Sequence, residues 1–115
     1  MFSILRAFLI CWLASGVFGC ATKPPEATAQ ETDQVFNALF ACLHAAAKKL
    51  DDNRSDATSI AMAMKPLCAG EFSQSRDIEG RRLNPTARVL YDRKELEAFL
   101  SIATTVVLDE RSKRR

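Results

Sequence analysis

Apolar side chains recur at helical spacing between residues 28 and 50, and this pattern constrains the fold more than any other feature. Thr28 and Glu31 have the spacing of a capping box, which predicts a helix N-terminus. Apolar residues then follow at intervals of three and four, as in an amphipathic helix with one face in a core. The stripe comprises Val35, Phe36, Leu39, Leu43, Ala46, Ala47 and Leu50. The sequence therefore predicts a helix here that must pack against other elements.

A second helix is predicted after a polar turn at residues 51–56. Ser55 or Asp56 can cap it, and Pro66 should kink or end it because proline lacks a backbone donor. Gly70 is expected to mark its end. Its apolar face would comprise Ile60, Met64, Leu67 and Cys68.

The last helix is predicted from Asp92 to Glu110. Asp92 and Glu95 have capping-box spacing, and Tyr91 can pack on Leu96 as a hydrophobic staple. The basic tail 111–115 would follow the helix. A stripe at helical spacing is expected to be buried against the first two helices: Leu96, Phe99, Leu100, Ala103, Val106 and Val107.

Residues 71–91 carry few apolar side chains among many charges. Gly80 is expected to interrupt any long helix in this segment. Asn84 followed by Pro85 is typical of a cap and a first helical residue, so a short helix over Pro85–Tyr91 is predicted. The chain is therefore predicted to be all-α, a small domain of three or four helices.

The first two dozen residues have the organisation of an export signal. A single cation, Arg6, precedes an apolar run over 7–18, and the run ends in Val17-Phe18-Gly19-Cys20. This end resembles the lipobox of bacterial lipoproteins. The resemblance implies that Cys20 is acylated, by palmitate among other chains, and becomes the first residue of the mature protein.

On that resemblance the chain divides into a signal peptide at residues 1–19, a Pro24-Pro25-containing tether at 20–27 and a helical domain at 28–115. Ala21 after the cysteine implies an outer-membrane anchor facing the periplasm. Two alternatives remain. Cleavage after Ala21 would give a secreted or soluble periplasmic protein, or the apolar segment could stay as an anchor, although it barely reaches the roughly 20 residues of a span.

Four cysteines can be assigned on this basis. Cys11 leaves with the signal and Cys20 takes the lipid, so Cys42 and Cys68 remain as a pair in an oxidising compartment. Residue 55, midway between them, lies in the polar turn. Facing residues of an antiparallel hairpin are equally far from its turn, so a disulfide across a helical hairpin is predicted.

Charge and motifs narrow the classes of function. Only one of the 16 Lys and Arg falls in residues 1–19, so the mature chain has 15 against 14 Asp and Glu, which does not favour nucleic acid as a partner. No phosphate loop, Cys-x-x-Cys motif or paired histidine ligands occur, and His44 is the only histidine. We therefore predict no catalytic residue, metal or cofactor. Four arginines are a candidate basic patch for a partner: Arg76, Arg81, Arg82 and Arg88.

Together these features predict a membrane-tethered, non-enzymatic envelope protein. It would bind another component of the envelope or serve as a scaffold. Its lipid would contact the membrane, and an envelope protein or peptidoglycan would be its partner. The alternative is an inhibitor or immunity lipoprotein that acts on a periplasmic enzyme or toxin.

Overall fold

The computed structural model describes residues 24–115, and within that range the secondary structure is helical, with no strand. The helices are α1 (Ala29–Leu50), α2 (Ala57–Met64), α3 (Ala69–Gly80), α4 (Pro85–Arg93) and α5 (Glu95–Lys113). The predicted all-α class is confirmed. The described residues hold five helices, since the charge-rich segment after Cys68 forms both α3 and α4. Cys20 and the lipobox lie outside the described residues.

Helix α1 begins at its predicted cap. The side-chain oxygen of Thr28 accepts a hydrogen bond from the backbone N–H of Glu31 at 3.1 Å. The Glu31 carboxylate does not return to the cap, because it pairs with Arg81 at 3.1 Å. At the other end, Lys48 and Lys49 occupy the last turn of α1. Their positive charges interact favourably with the negative end of the helix dipole.

Helix α2 is capped by Asp56 and ends at Met64, two residues before Pro66, as the sequence predicted. The predicted stop at Gly70 is wrong. The backbone N–H of Leu67 bonds to the Met64 carbonyl at 3.0 Å, so the chain turns earlier and α3 already begins at Ala69. The turn also takes Leu67 off the buried face, and 49% of it is exposed.

The predicted start of the last helix is also wrong. Asp92 is still in α4, where its carboxylate pairs with Arg88 one turn earlier at 3.1 Å, so it cannot cap α5. The helix starts after a break at Lys94 and continues to Lys113, beyond the predicted end at Glu110. Leu96, in the first turn after the break, is 45% exposed rather than buried.

The core forms where α5 packs against α1 and α2, and α3 also packs on α1. Phe72 of α3 meets Phe99 of α5 edge to face, with ring centroids 5.0 Å apart. Cys42 and Cys68 form the predicted disulfide, with Cα atoms 5.9 Å apart. Other buried apolar residues complete the core: Leu39, Leu43, Ala46, Ala47, Ile60, Ala61, Met64, Ala103, Val106 and Val107.

Long-range ion pairs define two ends of the molecule. At one end, which we call the Ala29 end, Arg81 just after α3 pairs with Glu31 in the first turn of α1. At the other, the Asp51 end, Arg111 near the end of α5 pairs with Asp51 at the end of α1. α1 and α5 therefore run in the same direction, and α4, which precedes α5, lies toward the Ala29 end. Among residues 24–115, no helix has both the length and the apolar character that crossing a bilayer requires.

Candidate interaction surface

Arg76, one of the four arginines of the predicted patch, is a packing residue. It is 8% exposed, and its guanidinium carbon lies 3.1 Å from the centroid of the Tyr91 ring. The same guanidinium donates a hydrogen bond to the backbone carbonyl of Tyr91. The Tyr91 hydroxyl donates to Glu79, and burial together with this carboxylate raises the pKa of the Tyr91 phenol. These contacts attach α4 to α3.

Two more of the four arginines are occupied by carboxylates. Arg81 pairs with Glu31 and with Asp77, at 3.1 and 3.2 Å, and Arg88 pairs with Asp92. Arg82 is exposed and has no ion pair within residues 24–115. The structure therefore does not bring the four guanidinium groups together as one free basic patch.

A different exposed surface lies on α4 and the start of α5. No residue of α4 is buried, although the helix carries Val89 and Leu90, which are 52% and 57% exposed. Leu96 follows at 45%. Arg82, Arg93 and Lys94 belong to the same stretch of the chain, are exposed and make no ion pair in the described part of the chain. We call these six residues the α4 surface: Arg82, Val89, Leu90, Arg93, Lys94 and Leu96.

The sequence indicated this surface only in part. Val89 and Leu90 have the composition of core residues, and the predicted basic patch does not include Arg93 or Lys94. The signal that could have identified them is the adjacency of two apolar residues and two cations on one short helix. Such a combination is typical of a surface that meets an acidic or membrane partner.

An open groove lies beside Arg81, between α1 and α3, with a volume of about 380 Å³. The ion pairs of Arg81 with Glu31 and Asp77 occupy its polar wall. Its remaining lining residues are Val35, Ser73, Gln74 and Ile78. The groove does not gather a nucleophile with a base, so its geometry favours a structural junction over a catalytic site.

The His44 side chain lies in a cluster that the sequence did not predict, because its partners are 65 or more residues away. Its Nδ1 donates to the Glu110 carboxylate at 2.6 Å, and Glu110 is 4% exposed. This hydrogen bond lowers the pKa of Glu110. His44, Asp109 and Glu110 place ligand-type atoms within 4.8 Å of one another, a set that Zn²⁺ accepts.

Lys113 already supplies the positive charge in this cluster. Its ammonium lies 2.6 Å from Asp109 and 3.3 Å from Glu110. A metal ion would have to displace this ammonium before it could bind both carboxylates. The arrangement therefore fits a pairing network that joins α1 to the end of α5.

Comparison with family models, with curated proteins and with solved structures finds no match to this chain. What the chain does must therefore be inferred from its own residues. Among the described residues, Phe40, Met62, Leu67 and Leu108 are also exposed, but α4 is the helix that buries none of its residues.

Proposed function

We propose that this protein is a small lipid-anchored envelope protein that acts by binding rather than by catalysis. The sequence Val17-Phe18-Gly19-Cys20, after an apolar run, supports the anchor and a periplasmic location. The Cys42–Cys68 disulfide is compatible with that location, since disulfides persist in oxidising compartments. On this proposal Cys20 carries the lipid on the periplasmic face of the outer membrane.

The observation that carries the binding role is the exposure of α4. This helix makes no contribution to the buried core, yet it presents Val89 and Leu90 to solvent beside free cations. By contrast, Arg81, Arg111 and Glu110 are held in ion pairs within the protein. A surface with exposed apolar groups and unpaired charge is what an interaction site offers.

The anchor is tested by metabolic labelling with palmitate. The wild type should incorporate the label, and Cys20→Ser should not. Cys11→Ser is the matched control, because it removes a cysteine of the signal segment and should keep the label. Equal labelling of Cys20→Ser and the wild type would overturn the proposed anchor.

The binding role is tested by photo-crosslinking in cells. A photoreactive residue at Val89 or Leu90 should capture an envelope component, whereas the same residue at the exposed Thr105 should not. Capture of a periplasmic hydrolase or toxin would assign the inhibitor or immunity role. Equal capture from all three positions would contradict a role for α4.

A further inference from the structure

We infer that the α4 surface docks on the anionic phospholipid surface of the membrane that holds the lipid anchor. The inference deepens the proposed function and rests on it, because the anchor brings the surface to the membrane. Three features of the surface support this docking: its position, its apolar residues and its charge.

Position is fixed by the pair between Arg81 and Glu31. Their 3.1 Å contact brings the residues that precede α4 to the first turn of α1, which is where the tether joins the helical domain. Only eight residues separate Cys20 from Ala29. An extended chain of that length reaches about 30 Å. The Ala29 end therefore lies within about 30 Å of the lipidated residue, whereas Asp51 lies roughly 33 Å farther along α1.

The apolar part of the surface can enter the interfacial region of a bilayer. Val89, Leu90 and Leu96 are each about half exposed, and all lie within eight residues around the break at Lys94. A short helix with apolar residues beside cations lies in the headgroup region with its apolar side chains facing the acyl chains. α4 is too short to cross the bilayer, so a position on the surface is the arrangement that fits.

The charge of the segment complements anionic lipid. Residues 81–94 hold a single anion, Asp92, which pairs with Arg88. Glu95 and Glu97 follow in the first turn of α5, where the positive end of the helix dipole stabilises them, so residues 81–97 hold five cations against three anions. The cations of the segment are Arg81, Arg82, Arg88, Arg93 and Lys94. Three of them make no ion pair within the described residues and are available to phosphate groups.

The test uses the chain from Pro24 to Arg115, purified in its oxidised form without any lipid. This part contains the disulfide and the whole described core, and a cooperative thermal transition verifies its folding. Co-sedimentation is measured with vesicles of phosphatidylethanolamine and phosphatidylglycerol, and with vesicles of phosphatidylcholine. We expect binding to the anionic vesicles alone, and loss of that binding at high salt.

Two double variants address the two parts of the surface. Arg93→Gln with Lys94→Gln should weaken vesicle binding at least about tenfold, because each cation near an anionic surface contributes to binding. Val89→Ser with Leu90→Ser should weaken it as well. Lys48→Gln with Lys49→Gln makes the same charge change near the Asp51 end, and Leu108→Ser removes another exposed apolar side chain, so both should bind as the wild type does.

The outcomes separate this inference from the proposed function. If the protein does not bind anionic vesicles, or if the Lys48 and Lys49 variant loses as much binding as the Arg93 and Lys94 variant, docking on lipid is overturned. Crosslinking from Val89 to a protein, without vesicle binding, would overturn the lipid partner and retain the binding role. Failure of palmitate labelling would remove the anchor, whereas vesicle binding by the unlipidated chain would be unaffected.

Discussion

The guanidinium of Arg111 holds the carboxylate of Asp51, 60 residues earlier in the chain. Nη2 lies 2.7 Å from Oδ1, and Nε lies 3.1 Å from Oδ2. Nη2 also donates to the carbonyl of Ser55 at 2.6 Å, so one side chain joins α5 to the loop between α1 and α2. The Asp51 side chain is completely buried. This arrangement closes the Asp51 end of the molecule.

Arg111→Ala should therefore destabilise the protein, because it leaves the buried Asp51 carboxylate without its main partner. We expect the melting temperature to fall by several degrees in a thermal unfolding experiment. Deletion of residues 113–115 is the control. Lys113 and Arg114 also pair with acidic groups, but they are more exposed, so their loss should cost less. A larger fall for the deletion would contradict this assignment.

Phe99 is the largest fully buried side chain of the described core, at 1% exposure. Phe99→Ala should reduce the free energy of unfolding by about 3–5 kcal/mol, since it removes apolar contacts with Phe72 and leaves a cavity. Phe40→Ala is the matched control. Phe40 is 42% exposed, so its substitution should lower the free energy of unfolding much less. Urea denaturation of both variants measures the difference, and similar midpoints would refute this packing.

The Cys42–Cys68 disulfide should be intact in protein taken from the envelope. Mass spectrometry without reduction should find both thiols blocked against alkylation. The bond closes a loop with a sequence separation of 26, which is worth roughly 3.5 kcal/mol in the chain-entropy model. Cys42→Ser with Cys68→Ser should lose about that much stability. Two free thiols in exported wild-type protein would exclude the bond.

Acid should destabilise the fold through paired carboxylates. Arg111 lowers the pKa of Asp51 below its ordinary 3.8, and His44 lowers the pKa of Glu110 below its ordinary 4.5. Backbone N–H groups of Ser55 and Arg54 lower the pKa of Asp52 to about 2. Each group binds protons more readily when unfolded, so its stabilisation is present above its ordinary pKa and disappears as pH falls through the lowered value.

Near neutral pH these carboxylates stay ionised, so their titration should not change the melting temperature. The melting temperature should fall as the pH drops from about 4.5 toward 2. Circular dichroism melts across this range provide the measurement. Asp51→Asn should show a shallower decline, because one of the titrating groups is gone. An unchanged acid profile in this variant would mean that Asp51 does not contribute.

Local sequence signals located much of the fold. The caps at Thr28 and Asn84 fall where the sequence placed them, and Asp56 is one of the two residues predicted to cap α2. Such signals work because a cap or a helical period involves neighbours within one or two turns. The same reasoning failed at Asp92, whose capping-box spacing was outweighed by a salt bridge to Arg88 inside α4.

The candidate surface was less accessible to sequence reasoning. Four arginines looked alike, but the fold assigns them different roles: Arg76 stacks on Tyr91, Arg81 joins α3 to α1, and only Arg82 is exposed without an ion pair in the described residues. Val89 and Leu90 have the composition of core residues. Their exposure follows from the position of α4 at the edge of the core, which no short spacing encodes.

The sequence by itself determined the helical class, the bounds of α1, the starts of α2 and α4 and the pairing of Cys42 with Cys68. Periodicity, caps and symmetry about a turn made this possible, because they are properties of nearby residues. The tertiary structure alone decided which charges are partnered. The contacts of Glu31 with Arg81 and of Asp51 with Arg111 join residues 50 and 60 positions apart. Such pairs form only when packing of the apolar faces has brought the helix ends together.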